Sequence, residues 1–258
     1  MKNEHIVTID KKLCISCGLC QKDCPANLFV ISDEGAEVTT QGCIKCGHCV
    51  AICPRNAVSI SGFEDEPEEL TSYMKVDVKS LMGQIKARRS MRHFTPQDVS
   101  SDIVAQIIEA GRYTPSGGNK QTVSYVVLKE NIDEYERIAV SLFRRIKKLA
   151  DVFISKFRNI DIDDHFFFKG APVAIVIKST DMVDGALAAS TMELMAQAHS
   201  LGVLYSGFFT RAARLSRKLR KNLSTSSHEK IVTTLVLGYP TVTYQRTAQK
   251  ERPTIQFD

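Results

Sequence analysis

All eight cysteines of this 258-residue chain fall between residues 14 and 53. They read Cys14-x-x-Cys17-x-x-Cys20-x-x-x-Cys24-Pro25 and then Cys43-x-x-Cys46-x-x-Cys49-x-x-x-Cys53-Pro54. A shift of 29 residues superimposes Cys14-Ile15-x-Cys17-Gly18 on Cys43-Ile44-x-Cys46-Gly47 and, further on, Ile31-Ser32 on Ile60-Ser61. The region is therefore a duplicated unit. Each half predicts a short alternating strand (Ile6 to Ile9; Glu37 to Thr39), a cysteine-bearing loop, one helical turn and another short strand. A unit of this size buries too little apolar surface to hold itself together. Whatever the thiols bind must act as its core.

Several chemistries use cysteines in numbers. Disulfides belong to oxidising compartments. The polar start Met1-Lys2-Asn3-Glu4-His5 carries no signal-peptide pattern, so a cytoplasmic location is expected and disulfides are disfavoured. Structural zinc uses paired C-x₂-C units with a longer spacer, and redox dithiols use one C-x-x-C. Three cysteines at every third position followed by Cys-Pro, twice over, instead resemble the bacterial ferredoxin run. In that run the fourth cysteine of each motif ligates the other motif's cluster. The resemblance implies one [4Fe–4S] cluster on Cys14, Cys17, Cys20 and Cys53, and a second on Cys43, Cys46, Cys49 and Cys24. His48 reads as a loop residue that tunes potential rather than as a ligand.

The length suggests two domains. The boundaries expected are a cluster domain at 1–62, an acidic linker at 63–77 containing Pro67, and a second domain at 78–258. No apolar run approaches the roughly 20 residues of a membrane span, so no membrane partner is expected. Residues 1–62 are electrically balanced and residues 63–80 carry net −4, which leaves +9 on residues 81–258 of a chain whose total is +5. A basic domain suits nucleic acid, a membrane surface or a phosphate-bearing cofactor. Only the last has specific residues behind it.

A helical pattern runs from Asp77 to Arg88, with Val78, Leu81 and Ile85 on one face, and leads into Arg88-Arg89-Ser90-Met91-Arg92-His93-Phe94. A second helix is capped at Ser100 or Ser101, buries Ile103, Val104, Ile107 and Ile108, and ends near Gly111. Then come the turn-rich Pro115-Ser116-Gly117-Gly118-Asn119-Lys120-Gln121 and a strand from Thr122 to Leu128. Further on, a basic helix is expected over Ile132 to Ala150, a strand over Pro172 to Ile177, and a small-residue helix over Asp184 to Leu201. A helix over Thr210 to Asn222 and a strand over Ile231 to Leu237 complete the pattern. The charged face of the 132–150 helix is most simply solvated, and no nucleic-acid partner is expected.

At Arg-Arg-Ser-x-Arg-x-Phe, Pro-Ser-x-x-Asn-x-Gln and the C-terminal Lys250-x-Arg252, the chain resembles the nitroreductase family of FMN-dependent oxidoreductases over about residues 78–258. The whole resembles ferredoxin–nitroreductase fusions of anaerobic bacteria. The fold implied is α+β: a duplicated ferredoxin-type 2[4Fe–4S] domain, then a nitroreductase-like domain with a central, mostly antiparallel sheet flanked by helices. Arginines on either side of a serine supply charge-assisted, often bidentate bonds to phosphate and a hydroxyl for a ribityl chain. The resemblance gives those roles to Arg88, Ser90 and Arg92, with Arg89 a bystander. It assigns Pro115, Ser116 and Asn119 to the FMN site of a second subunit, hence a homodimer with FMN at the interface. It also implies that Ser206 and Gly207 approach flavin N5, and that Lys250 and Arg252 return to the phosphate and the ring edge. The family's Pro-Trp after the glutamine is absent here: Gln121 is followed by Thr122-Val123, and the chain has no Trp.

The joint reading is an FMN- and iron–sulfur-dependent reductase. It passes electrons to an electron-poor small molecule such as a nitroaromatic, quinone or activated alkene. No side chain is needed as a nucleophile. The donor is external ferredoxin or NAD(P)H; no Gly-x-Gly-x-x-Gly fingerprint is present, and the family does not need one. Two alternatives stay open: a module that relays charge to a partner protein or senses redox state, and different flavin chemistry on the same fold, such as dehalogenation or flavin fragmentation. Phe166-Phe167-Phe168 cannot all face a core, so they either plug the dimer interface or place one ring over the flavin.

Overall fold

The computed structural model describes residues 5–39, 41–70, 75–153 and 161–258, with side chains not described at 149–153. The chain forms two compact units, one of residues 1–75 with 117–120, the other of residues 76–116 with 121–258.

The first unit is built from β1 (Val7–Ile9), α1 (Leu19–Asp23), β2 (Phe29–Ser32), β3 (Gly35–Val38), α2 (His48–Ala51) and β4 (Val58–Ile60). The duplicated halves interlock. The first strand of one half pairs antiparallel with the last strand of the other, Val7 opposite Ile60, while β2 pairs with β3, Phe29 opposite Val38. Among the described residues of this unit, Val7, Phe29, Ala36, Ala57 and Val58 are the buried apolar ones, and Cys20 and Cys49 are buried with them. With so few buried apolar side chains, the thiols line the place that a larger domain would fill with a core.

The second unit comprises α3 (Val78–Ala87), α4 (Ser101–Arg112), β5 (Ser124–Leu128), α5 (Ile132–Phe153), β6 (Val173–Ser179), α6 (Met182–Ala198), β7 (Gly202–Tyr205), α7 (Gly207–Leu215), α8 (Arg217–Asn222) and β8 (Lys230–Gly238). Its sheet is antiparallel throughout, in the order β5-β6-β8-β7. Helices cover both faces. Val173, Ile175 and Ile177 pack under Val104 and Ile107 of α4 and Ala189, Met192 and Ala196 of α6. Ala174 and Val176 turn the other way, toward Ala139 and Val140 of α5, Phe209 of α7 and Leu219 of α8. Strand β6 is therefore buried at all seven positions. A strand covered on both faces reads as a continuous apolar run, and each fully buried Val or Ile contributes about 1.5–3 kcal/mol.

Two expected helices differ in detail. The one expected from Thr210 to Asn222 is broken at Ser216, whose hydroxyl accepts from Leu219 N at 3.2 Å and caps α8. A serine that bonds the backbone ahead of it ends one helix and starts another. Helix α3 forms as the pattern predicts, with the Asp77 carboxylate accepting from Ser80 N at 2.8 Å. Its apolar residues Val78, Leu81, Met82 and Ile85 are nevertheless exposed in the single chain.

Candidate functional site

Each cysteine run enters its helix through a glycine in the left-handed region, Gly18 (φ 73°) before α1 and Gly47 (φ 74°) before α2. A β-carbon disfavours that conformation, which turns the loop so that its three thiols converge. Cys20 lies within α1, but Cys24 leaves the helix in an extended conformation ahead of Pro25, which stops the helix. The two thiols therefore point to different places. One cavity is lined by Cys14, Cys17, Cys20 and Cys53, together with Ile31 and Ala36. The other is lined by Cys24, Cys43, Cys46 and Cys49, together with Phe29 and Ile60.

Backbone amides point at the sulfurs: Ala36 N donates to Cys14 Sγ at 3.3 Å, Ala57 N to Cys53 Sγ at 3.2 Å and Lys45 N to Cys43 Sγ at 3.4 Å. The Ala36 N–H, followed by that of Ser16, lowers the pKa of Cys14. Burial does the opposite to Cys20, and pushes Cys49 up to about 11. A buried thiolate needs a neighbouring positive centre, and N–H groups aimed at sulfur suit a thiolate-bound cluster. Among the described residues, no group of three or more His, Cys, Asp or Glu is placed to hold a single metal ion. The donor set, four thiols around each apolar cavity, fits an iron–sulfur group.

The arginine segment is extended and runs beside β7. Ser90 bridges Val203 in parallel, and Met91 N donates to Val203 O at 2.9 Å. Met91 is buried over Gly202, where a β-carbon would come within 2.5 Å of Met91 Cγ. Side chains alternate along an extended chain, so seating Met91 inward turns Ser90 and Arg92 the other way. Ser90 is half-buried and Arg92 exposed. Arg88 precedes them at the end of α3, and its Nη1 donates to Glu193 Oε1 at 3.1 Å. Arg89 folds back on the carbonyls of Lys86 and Arg88, and reaches Arg246 O at 3.4 Å.

Strand β7 ends at Tyr205, and Ser206-Gly207 opens α7. Ser206 is buried and its hydroxyl donates to Phe167 O at 2.9 Å, so that side chain faces inward. It does not cap the helix. The first N–H groups of α7, with the positive end of its dipole, are left for an external acceptor. At Gly207 a β-carbon would meet nothing within 4 Å. Open space beside uncapped N–H groups fits the edge of a flat, electron-accepting ring, and Arg88 and Arg92 carry the charge that a phosphate on such a ligand would need.

The aromatic run divides. Phe167 and Phe168 are buried, and their N–H groups donate to Glu136 Oε1 at 2.8 and 2.6 Å. Burial raises the pKa of Glu136 even though these N–H groups oppose it. Phe166 stays half-buried, 5.5 Å from the exposed Phe208 ring that follows Gly207, with Lys169 Nζ 4.9 Å above it.

The remaining expected site residues lie apart from these. Pro115 is exposed, and Ser116 Oγ accepts from Gln121 N at 3.0 Å. Asn119 belongs to the first unit, where its amide donates to Ile44 O and Lys45 O, both at 2.9 Å, between Cys43 and Cys46. Lys250 and Arg252 lie on the exposed tail; among the described contacts neither meets Arg88, Ser90 or Arg92. Glu193 was not singled out from the sequence. Its signal was a charge set within the small-residue stripe of α6, since Ala188, Ala189, Met192 and Ala196 are all buried around it.

An antiparallel sheet sheathed by helices, with arginines beside an uncapped helix start, and a thiol-rich duplicated unit ahead of it define a nitroreductase-like fold joined to an iron–sulfur module. Residues 85–239, more than half of the chain, match the nitroreductase family, and residues 6–54 match a 4Fe–4S dicluster domain. The chain belongs to the nitroreductase family. It is similar to a nitroreductase with bound FMN from Bacteroides fragilis, at 21% identity and TM-score 0.55 over 68% of this chain and 98% of that one. It is also similar to a nitroreductase with bound FMN from Desulfitobacterium hafniense, at 21% identity and TM-score 0.56 over 68% and 97%. A BluB-like flavoprotein from Clostridium difficile aligns at 18% identity and TM-score 0.56 over 68% and 99%. No curated protein matches the chain. Among the described residues no helix is long and apolar enough to cross a membrane.

Proposed function

We propose that the chain is an FMN- and iron–sulfur-dependent reductase that moves electrons from two [4Fe–4S] clusters to an electron-poor small molecule, such as a nitroaromatic, quinone or activated alkene. Bound FMN supplies the conversion between single electrons and electron pairs. The observation that carries the reading is the start of α7, where uncapped N–H groups and the open side of Gly207 adjoin the arginine segment. Arg88 and Arg92 offer guanidinium groups to a phosphate, Ser90 a hydroxyl to a ribityl chain, and the Gly207 backbone an N–H to a ring edge. Lys250 and Arg252 close the phosphate end once the tail folds over it. Phe166 and Phe208 wall the side open to a planar acceptor.

The eight cysteines hold the clusters in the crossed arrangement, Cys53 with Cys14, Cys17 and Cys20, and Cys24 with Cys43, Cys46 and Cys49. The protein is a homodimer with FMN at its interface, in which Pro115 and Ser116 serve the partner's flavin, while the Asn119 amide is engaged by the Ile44 and Lys45 carbonyls instead. The exposed apolar face of α3 supports this, because a surface helix carrying Val78, Leu81, Met82 and Ile85 outward is a face for burial. A cytoplasmic location agrees with free thiols in this number.

The test is anaerobic. Reconstituted protein is mixed with NADH, NADPH or reduced ferredoxin while flavin absorbance is followed. Bleaching that requires intact clusters, followed by recovery on adding a nitroaromatic or quinone, is the expected result. Flavin reduction by NADH in a cluster-free variant would rule out entry through the clusters. Turnover with none of the donors would rule out the enzyme.

A further inference from the structure

We propose that Glu193 is a positioning residue that sets the guanidinium of Arg88 for a phosphate; this deepens the flavin-site reading and rests on it. The Glu193 side chain is 6% exposed and accepts from Arg88 Nη1 at 3.1 Å, whereas the Arg88 side chain is 37% exposed. One end of the guanidinium is thus pinned inside the protein and the other is open. A carboxylate this deep is stable only with a cation and hydrogen bonds beside it, and Arg88 supplies both.

Tyr205, one residue before Ser206, closes the cluster. Its hydroxyl donates to Ala189 O at 3.1 Å. Burial raises its pKa, and the charge of nearby Glu193 raises it further, so the phenol stays protonated. Side chains from the end of α3, from α6 and from the end of β7 therefore meet at one carboxylate, immediately behind the segment that opens α7.

Two effects of Glu193 on an incoming phosphate oppose each other. A free carboxylate would repel it. A pinned arginine, however, has already lost much of the rotamer freedom it would otherwise lose on gripping the anion, and its Nε and Nη2 remain available in a fixed fork. Because the guanidinium sits at 3.1 Å and offsets the carboxylate's field, the pair faces outward as an oriented donor, and the pinning outweighs the repulsion. The ligand chemistry is a terminal phosphate monoester.

The experiment compares FMN with riboflavin, which lacks only the phosphate, binding to the full-length flavin-free protein. Wild type, Glu193→Gln, Arg88→Ala and the double variant are measured. Glu193→Gln is expected to weaken FMN binding about tenfold, equivalent to about 1.4 kcal/mol, while riboflavin stays within about twofold. In the Arg88→Ala background it is expected to have no further effect, the signature of two residues acting as one. FMN binding that is unchanged or tighter in Glu193→Gln, or an equal loss for both flavins, overturns the inference. Wild type binding the two flavins equally would instead remove the phosphate-site reading beneath it. Should Glu193→Gln fail to fold, Arg88→Lys keeps the charge and loses the fork. A loss confined to FMN is then expected, and an equal loss for both flavins overturns the proposal.

Discussion

Replacing Gly207 with alanine separates folding from flavin binding. Gly207 is the first residue of α7 and does not have a positive φ, and an added β-carbon meets no heavy atom within 4 Å. Alanine therefore introduces no clash and gains up to about 1 kcal/mol of helix propensity, less in a first turn. The urea midpoint of the flavin-free protein is expected to stay put or rise slightly. Flavin binding behaves differently if the ring edge lies against the helix start. A hydrogen bond from a backbone N–H needs about 3 Å between heavy atoms, and a methyl group in that gap displaces the ring. Losing one hydrogen bond to a charge-bearing edge costs about 1.5–3 kcal/mol, or roughly ten- to hundredfold in FMN affinity. Quenching of flavin fluorescence on titration with the flavin-free protein measures it. Equal FMN affinity in wild type and Gly207→Ala would refute the placement of the flavin at α7. Gly185 is the control with the opposite profile. A β-carbon there would lie 2.5 Å from Val232 Cγ2 and 3.0 Å from its Cβ and Cγ1. Valine is stiff at χ1 and cannot swing aside, so Gly185→Ala should cost about 1–3 kcal/mol of stability and leave the FMN affinity of the folded protein intact.

The crossed cysteine arrangement makes a sharp prediction, because Cys17 and Cys53 belong to different motifs but line one cavity. Cys17→Ala and Cys53→Ala should each lower the iron content from about eight to about four per chain, and the double variant should lose no more; near-total loss in the double variant would contradict a shared site. Acid stability should depend on Glu229. Burial alone would raise its pKa, but the Ser226 N–H, the Ser124 hydroxyl and Lys178 together outweigh burial and hold it down at about 2. A depressed carboxylate stabilises the fold fully above its unfolded value, near 4.5, and loses that contribution as pH falls toward 2. Wild type should therefore exceed Glu229→Gln by at most about 3 kcal/mol at pH 7, with the gap in urea midpoints narrowing between pH 5 and pH 2. A gap independent of pH would show that Glu229 acts through its shape alone.

Much of the fold was legible because local patterns reach the surface of the sequence unaltered. Strand β6 is a continuous apolar run since both its faces are covered, and α4 shows its Val104 and Ile107 stripe behind the Ser100 cap. The cysteine spacing also speaks for itself, because the turn at Gly18 or Gly47 and the single helical turn after it are local events. The candidate site was only partly legible. The arginine segment could be picked out by residue type, but its outward face is set by Met91 seating on Gly202, more than a hundred residues away. The inward turn of the Ser206 hydroxyl is equally hidden, since its partner is the Phe167 carbonyl, whose peptide is fixed by the Phe168 N–H donating to Glu136 Oε1.

The antiparallel sheet and the phosphate role of the arginines were implied only by the family resemblance, whereas the sequence alone determines a duplicated thiol unit and a second domain of alternating helices and strands. Short-range spacing and periodicity specify such things without reference to distant residues. Tertiary structure decided the rest. It seated Cys24 and Cys53 in the separate cavities that the ferredoxin-type run had implied, left α3 with an exposed apolar face, and placed the carboxylate of Glu193 beneath Arg88. These outcomes depend on which remote segment arrives beside a residue, and no periodicity records that.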